Sequence, residues 1–168
     1  NDLMKEDALA FKNRFERITF GDPLLTTQQD HVEIVNAICQ EFSNLPADCA
    51  LILMGHGTSH YANDVYAALD YRFKDLGFSN IHLATVEGYP TLENVTRMVK
   101  EQEAKKVILA PFMIVAGDHA RNDMSGDDEE SWKNQFRAAG YDVECRMKGL
   151  GEYPAIQDML IRHVTEVC

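Results

Sequence analysis

The chain has 168 residues and a mass of 19.0 kDa, with 45% hydrophobic and 26% charged residues. These values suit one globular domain, or one domain with part of another, and argue against disorder or low-complexity sequence. The formal charge is −11, with 16 Lys and Arg against 27 Asp and Glu, so the chain is a poor candidate for general nucleic-acid binding, which needs a basic face, and the sequence has no polybasic patch for anionic lipid.

Residues 3–15 carry Leu3, Met4, Ala8, Phe11 and Phe15 at helical spacing, and Arg17–Gly21 reads as a short β-like run. A second amphipathic helix is predicted over Gln28–Phe42, with Val32, Val35, Ile38, Cys39 and Phe42 on one face. The pattern then becomes regular. Ala50–Met54 is apolar at every position, as a strand covered on both faces requires. A helix follows over Val65–Leu76, a strand over Ile81–Val86, a helix over Thr91–Glu103 and a strand over Lys106–Ala110. Asp127–Ala139 reads as a helix opened by an Asp127/Glu130 capping box, Tyr141–Arg146 as a short strand, and Pro154–Val167 as the closing helix. This alternation predicts an α/β domain: a parallel four-stranded sheet flanked by helices, a Rossmann-type three-layer arrangement.

The longest apolar run, Val107–Ala116, is too short to span a membrane and contains Pro111. The four cysteines, Cys39, Cys49, Cys145 and Cys168, form no Cys-x-x-Cys pair and read as free thiols of a reducing compartment. No signal peptide is visible, which points to a cytoplasmic protein and leaves an exported form open. The sequence starts at Asn1, almost within a helix, so a preceding segment is expected.

Ligands of open parallel sheets bind beyond the carboxyl ends of the strands. Gly55-His56-Gly57-Thr58-Ser59-His60 follows the first predicted strand, Glu87-Gly88-Tyr89-Pro90 the second, and Pro111 to Ala120 the third. His56, Glu87 and His119 are spaced by 31 and 32 residues, about one βα repeat each, which puts all three on one sheet edge. Two imidazoles and a carboxylate suit a divalent metal such as Co, Ni, Fe or Zn. A lone histidine at a strand end is more often structural, so it is the conjunction of three that carries the reading. Glycines 55 and 57 would let the backbone turn and approach a flat ligand. His60 reads as a neighbour of the site or a helix start, His82 as packed within its strand, and His31 and His163 as surface residues. The dinucleotide fingerprint, the Walker A motif and the Gly-x-Ser-x-Gly elbow are absent. Thr58 and Ser59 leave a hydrolase alternative that has no evident base and orienting acid.

These segments resemble the anaerobic cobalt chelatases, the sirohydrochlorin cobaltochelatase family. The matching motifs are Met54-Gly-His-Gly57, Val86-Glu-x-Tyr-Pro90, Pro111-x-Met-x-Val-Ala-Gly-Asp-His-Ala120 with Asn122-Asp-Met124, and Gly149-Leu-Gly-Glu-x-Pro-Ala-Ile156. The resemblance implies a class II chelatase fold of two similar α/β domains with the tetrapyrrole between them. It also implies that His56, Glu87 and His119 hold the metal and are catalytic, and that Gly55, Gly57, Ser59, His60 and Arg121 line the substrate. Asp118 is expected to orient His119. By this resemblance residues 1–25 are a remnant of an N-terminal α/β domain, a helix plus a strand, and residues 26–168 are the C-terminal chelatase domain. The missing domain or a second chain, as in a homo-oligomer, would complete the cleft.

The implied activity is insertion of a divalent metal, Co2+ first, into sirohydrochlorin or its precorrin counterpart, within anaerobic cobalamin biosynthesis. No cofactor is expected to stay bound, because the metal (Co2+, Fe2+, Ni2+ or Zn2+) is a substrate. A non-catalytic tetrapyrrole- or metal-binding protein, or a chelatase for Fe2+ or Ni2+, remains an alternative. Sirohydrochlorin carries eight carboxylates, so an acidic chain needs local cations, for which Arg121 and Lys133 are candidates.

Overall fold

The run without a polar position becomes the centre of the sheet, in a computed structural model that describes residues 2–168. The elements run α1 (Asp2–Leu9), α2 (Gln28–Glu41), β1 (Cys49–Gly55), α3 (Asp64–Asp75), β2 (Ile81–Thr85), α4 (Leu92–Glu101), β3 (Lys106–Pro111), α5 (Trp132–Ala138), β4 (Asp142–Cys145) and α6 (Pro154–Thr165). The strands are parallel in the order β2-β1-β3-β4, and β1 is buried along its whole length.

Side chains alternate across the sheet. Cys49, Leu51 and Leu53 face a core closed by Ile34 and Ile38 of α2, Leu69 and Phe73 of α3, and Ile156 of α6. Ala50, Ile52 and Met54 face a second core with Val95 and Val99 of α4 and Trp132 and Phe136 of α5. This is the three-layer α/β architecture that the alternating pattern predicts. The chain passes from β1 to β2 by way of α3 on one face, then from β2 past β1 to β3 by way of α4 on the other. Connections therefore diverge between β1 and β3, and the crevice at their carboxyl ends is the topological switch point. Among the described residues, no helix is long and apolar enough to cross a membrane.

The structure departs from the sequence reading at the start of the chain. The helix predicted over residues 3–15 ends at Leu9, and a separate 3-10 turn occupies Lys12–Arg14. Leu3, Met4, Leu9, Phe11 and Phe15 are exposed, because no described element covers that face. Arg17–Gly21 forms no strand, since it has no partner backbone to pair with. Val32, placed on the apolar face of α2, is exposed as well.

A second departure lies before α5. The predicted capping box at Asp127 and Glu130 does not form, and the helix begins at Trp132. Ser131 is its N-cap, its hydroxyl accepting from the Asn134 amide at 3.3 Å. Asp127 instead accepts from Lys133 Nζ, 3.1 Å away. Ser131 is buried, so Ser131→Ala is expected to cost about 1 kcal/mol of stability through the lost cap. A urea unfolding curve would measure it, and an unchanged midpoint would argue that the cap contributes nothing.

His163 is not a surface residue. It is buried, with Nε2 at 2.9 Å from Asp30 Oδ1 and Nδ1 at 2.8 Å from the Asp22 carbonyl. Asp30 is fully buried at the start of α2, where it also takes part in a capping box with Thr27 and accepts from Arg162 at 2.9 Å. Burial alone would raise the Asp30 pKa. The hydrogen bonds from His163, Arg162 and the Thr27 amide outweigh it and bring the pKa down to about 2. The Asp22 carbonyl and then Asp30 push the His163 pKa up. His31, also expected at the surface, is half-buried and bonded to the Leu25 carbonyl at 3.0 Å. His82 is packed as expected, with Nε2 at 2.9 Å from Gln102 Oε1.

Candidate metal centre

Each strand of the central trio delivers one donor side chain to the carboxyl edge. His56 follows β1 directly, and its carbonyl accepts from the Glu87 amide at 2.9 Å, so the backbone pairing of β1 with β2 continues past both strands. The Gly55 carbonyl accepts from the Val86 amide at 3.1 Å in the same way. Beyond β3 the chain makes a longer excursion before reaching His119. That loop is held by the segment after β4, where the amides of Leu150 and Gly151 donate to the carbonyls of Met113 and Ile114 at 2.8 and 2.9 Å. A Cβ on Gly149 would come within 2.6 Å of the Ile114 carbonyl oxygen, which is why glycine is needed for so close an approach.

One donor atom from each of His56, Glu87 and His119 lies within 4.8 Å of the other two. The His56 and His119 rings meet edge to face with centroids 4.6 Å apart, and His56 Nδ1 is 3.9 Å from Glu87 Oε2. The cluster lies at the switch point between β1 and β3 and is open to solvent, since His56 and Glu87 are exposed and His119 is half-buried. Two nitrogens and a carboxylate at these separations could hold a metal ion as a three-ligand set, with further coordination positions open to solvent.

The other predicted site residues surround this cluster unequally. Gly55 ends β1 under the Tyr66 ring, and Gly57 adopts φ 82°. The Gly57 carbonyl faces His56 Nδ1 at 2.9 Å. Ser59 and His60 are exposed, and His60 caps the following 3-10 turn by accepting from the Ala62 amide. Arg121 is exposed on the turn after His119. Lys133 is occupied by the Ser125 carbonyl and Asp127, so it is not a free cation for substrate.

The expected partner of His119 is corrected. Asp118, its neighbour in sequence, is exposed and has no hydrogen bond to it, whereas Asp123 Oδ2 lies 2.5 Å from His119 Nδ1. A π-helical turn over Ala120–Met124 brings the two together. Asn63 also belongs to this edge. Its buried amide accepts from the Thr58 amide and donates to the Tyr89 carbonyl, tying the loop after β1 to the loop after β2. No sequence signal marks it. The His119/Asp123 spacing of four would have been informative to a reader who expected a helical turn there.

Gly57 gives a direct test of this geometry. An alanine Cβ there would lie 2.6 Å from the Gly88 amide nitrogen and 2.9 Å from Thr85 Cβ, in a backbone conformation that disfavours side chains. Gly57→Ala is expected to destabilise by about 1–3 kcal/mol and to weaken cobalt binding by roughly tenfold or more, because Glu87 and Gly88 must shift. Thermal unfolding and cobalt titration would check both, and wild-type affinity would show that the donors do not depend on this turn.

A family profile described as cobalt chelatase (CbiK) matches residues 2–168. The curated sirohydrochlorin cobaltochelatase of Salmonella typhimurium is 39% identical, over 89% of this chain and 56% of its own length. Sirohydrochlorin cobaltochelatase CbiKC of Nitratidesulfovibrio vulgaris is 32% identical, over 98% of this chain and 58% of its own length. The chain thus spans less than three-fifths of the curated relatives it matches. Among solved structures, a cobalamin (vitamin B12) biosynthesis CbiX protein from Marinobacter aquaeolei VT8 aligns with TM-score 0.53 at 18% identity, over 70% of this chain and 93% of that one. A multi-domain protein from Deinococcus radiodurans, described as structurally similar to chelatases, aligns with TM-score 0.54 at 18% identity, over 80% of this chain and 29% of that one. These two likenesses concern the fold alone.

Proposed function

The chain belongs to the cobalt chelatase (CbiK) family, and from that membership we propose that it is the metal-holding domain of an enzyme that inserts Co2+ into sirohydrochlorin. The observation that carries the reading is the convergence of His56, Glu87 and His119 within 4.8 Å at the switch point of the sheet. The names of the curated relatives support the substrate assignment.

The chemistry follows from the donor set. The incoming metal is a substrate, so it must be held by few protein ligands and released to four ring nitrogens. The three side chains take the ion from water and leave positions open on the side facing solvent. As two pyrrole nitrogens bind the ion, each loses its proton, and a histidine displaced from the metal accepts one of them. Glu87 offsets part of the dication's charge and accepts a proton in the same way. The loops on this edge carry exposed apolar side chains, namely Tyr61, Tyr89, Ile114, Val115 and Met147, which offer apolar contact to a macrocycle. Arg121 would meet a peripheral carboxylate. A second wall, from another domain or a second copy of the chain, would enclose the ring.

Cobalt(II) titration followed by visible absorption is the first test. One saturable ligand-field band per chain supports the reading, and its absence rejects this donor set. Transfer of the bound cobalt to sirohydrochlorin, followed through the change in the macrocycle's spectrum with the longer natural protein, tests turnover. Tight retention without transfer would mark a carrier.

A further inference from the structure

The two imidazoles of the cluster each have one ring nitrogen engaged, and in both it is Nδ1. His56 Nδ1 faces the Gly57 carbonyl at 2.9 Å, and His119 Nδ1 faces the Asp123 carboxylate at 2.5 Å. A carbonyl and an ionised carboxylate only accept, so each imidazole must donate from Nδ1. A neutral imidazole with its proton on Nδ1 has its lone pair on Nε2. Both rings are thereby set to the same tautomer by different means, a fixed backbone carbonyl for one and a side chain for the other.

Asp123 reaches His119 because the turn between them is anchored from below. Ala120 and Met124 are fully buried in the core under α4 and α5. The Ser125 amide donates to the Ala120 carbonyl at 3.1 Å, closing the wider π-helical ring, and the Ser125 hydroxyl donates to the same oxygen at 2.9 Å. Asp123 and His119 then project from one side of a turn whose other side is locked into the core. Both side chains remain more than a third exposed, so the pair is not a device for burying charge.

We propose that Asp123 is the positioning residue of His119, its carboxylate fixing the Nδ1–H tautomer and ring orientation so that Nε2 is presented to the metal. This rests on the reading of the cluster as a metal centre, but the tautomer claim stands apart from it. Carboxylates placed behind ligating histidines typically raise metal affinity by 10–100-fold.

The test compares the wild-type protein with Asp123→Asn and Asp123→Ala. Asparagine keeps the shape of aspartate but can either accept from Nδ1–H through Oδ1 or donate its N–H to an unprotonated Nδ1, so it no longer imposes one tautomer, and alanine removes the acceptor altogether. Long-range 1H–15N spectra of the metal-free protein report which ring nitrogen of His119 carries the proton. The expected result is Nδ1–H in the wild type, loss of that preference in both variants, and cobalt binding weakened about 10–100-fold in both at unchanged melting temperature. A purely structural role would predict that the isosteric Asp123→Asn binds cobalt as the wild type does. That result, with the His119 spectrum and the cobalt affinity unchanged in Asp123→Ala as well, would overturn the proposal. Should the wild type bind no cobalt, the metal reading fails and the spectra alone decide: an unaltered tautomer in Asp123→Ala then overturns the positioning role too.

Discussion

His119→Ala is expected to abolish the saturable cobalt(II) band while the protein keeps its fold. His119 comes from beyond β3, on the opposite side of the switch point from Glu87, so its loss reduces the set to His56 and Glu87. Two exposed donors on adjoining loops hold a divalent ion only loosely against water. Losing a direct ligand should exceed the 10–100-fold effect typical of losing a residue behind one, so an affinity loss of more than about 100-fold is expected. Stability should move by no more than about 0.5 kcal/mol, since the ring is more than a third exposed and leaves no cavity. Visible absorption during titration measures the first effect and thermal unfolding the second. A variant that retains the band with wild-type intensity would remove His119 from the ligand set.

Asp30→Ala is expected to be the most damaging change for folding, at about 3–5 kcal/mol, out of a total stability of about 5–15 kcal/mol for a domain. The side chain is fully buried and accepts from His163 and Arg162 at 2.9 Å each. Its removal leaves a buried imidazole donor without an acceptor and takes away half of the α2 capping box. The same group predicts a pH profile. The folded pKa of Asp30 is about 2 against an ordinary 3.8, so its stabilisation is complete above about pH 4 and is lost as pH falls through the folded value. The difference corresponds to about 2 kcal/mol. His163 has the opposite sign. Its folded pKa is raised, so its stabilisation is complete below the ordinary 6.5 and is lost as pH rises through the folded value. The urea midpoint of the wild type should therefore be highest between about pH 4 and 6.5 with respect to these two groups. In Asp30→Asn the acid limb should shrink, and the alkaline limb should shrink in part, because the Asp22 carbonyl still bonds His163. Identical pH profiles in the two proteins would refute the linkage.

The readable parts of this protein are those written in local periodicity. The strand Ala50–Met54 announces itself because burial on both faces tolerates no polar residue, and the βα repeat then places His56, Glu87 and His119 by counting alone. The capping of α5 was misread because Asp127 and Glu130 satisfy the pattern while Ser131, one residue before the first helical turn, has better access to the Asn134 amide. His163 looked exposed because its partner Asp30 lies 133 residues away in sequence, a separation no helical wheel reveals. Asp118 seemed the natural partner of His119 by adjacency, but neighbouring residues on a helical turn point in different directions, and Asp123 shares its side. The start of the chain failed for a different reason: Leu3, Phe11 and Phe15 have the spacing of a buried face, and spacing does not say what, if anything, lies against it.

The fastening of the His119 loop by Leu150 and Gly151 has a consequence in time. A ribosome releases the loops bearing His56 and Glu87 first, and their backbones bond to each other as a continuation of the β1–β2 pairing. The loop bearing His119 lacks its backbone partners until β4 and the turn beyond it have been made. The cluster of His56, Glu87 and His119 is therefore assembled by sheet and loop together, and the loop's fastening is made later in the chain than any of the three donors it serves.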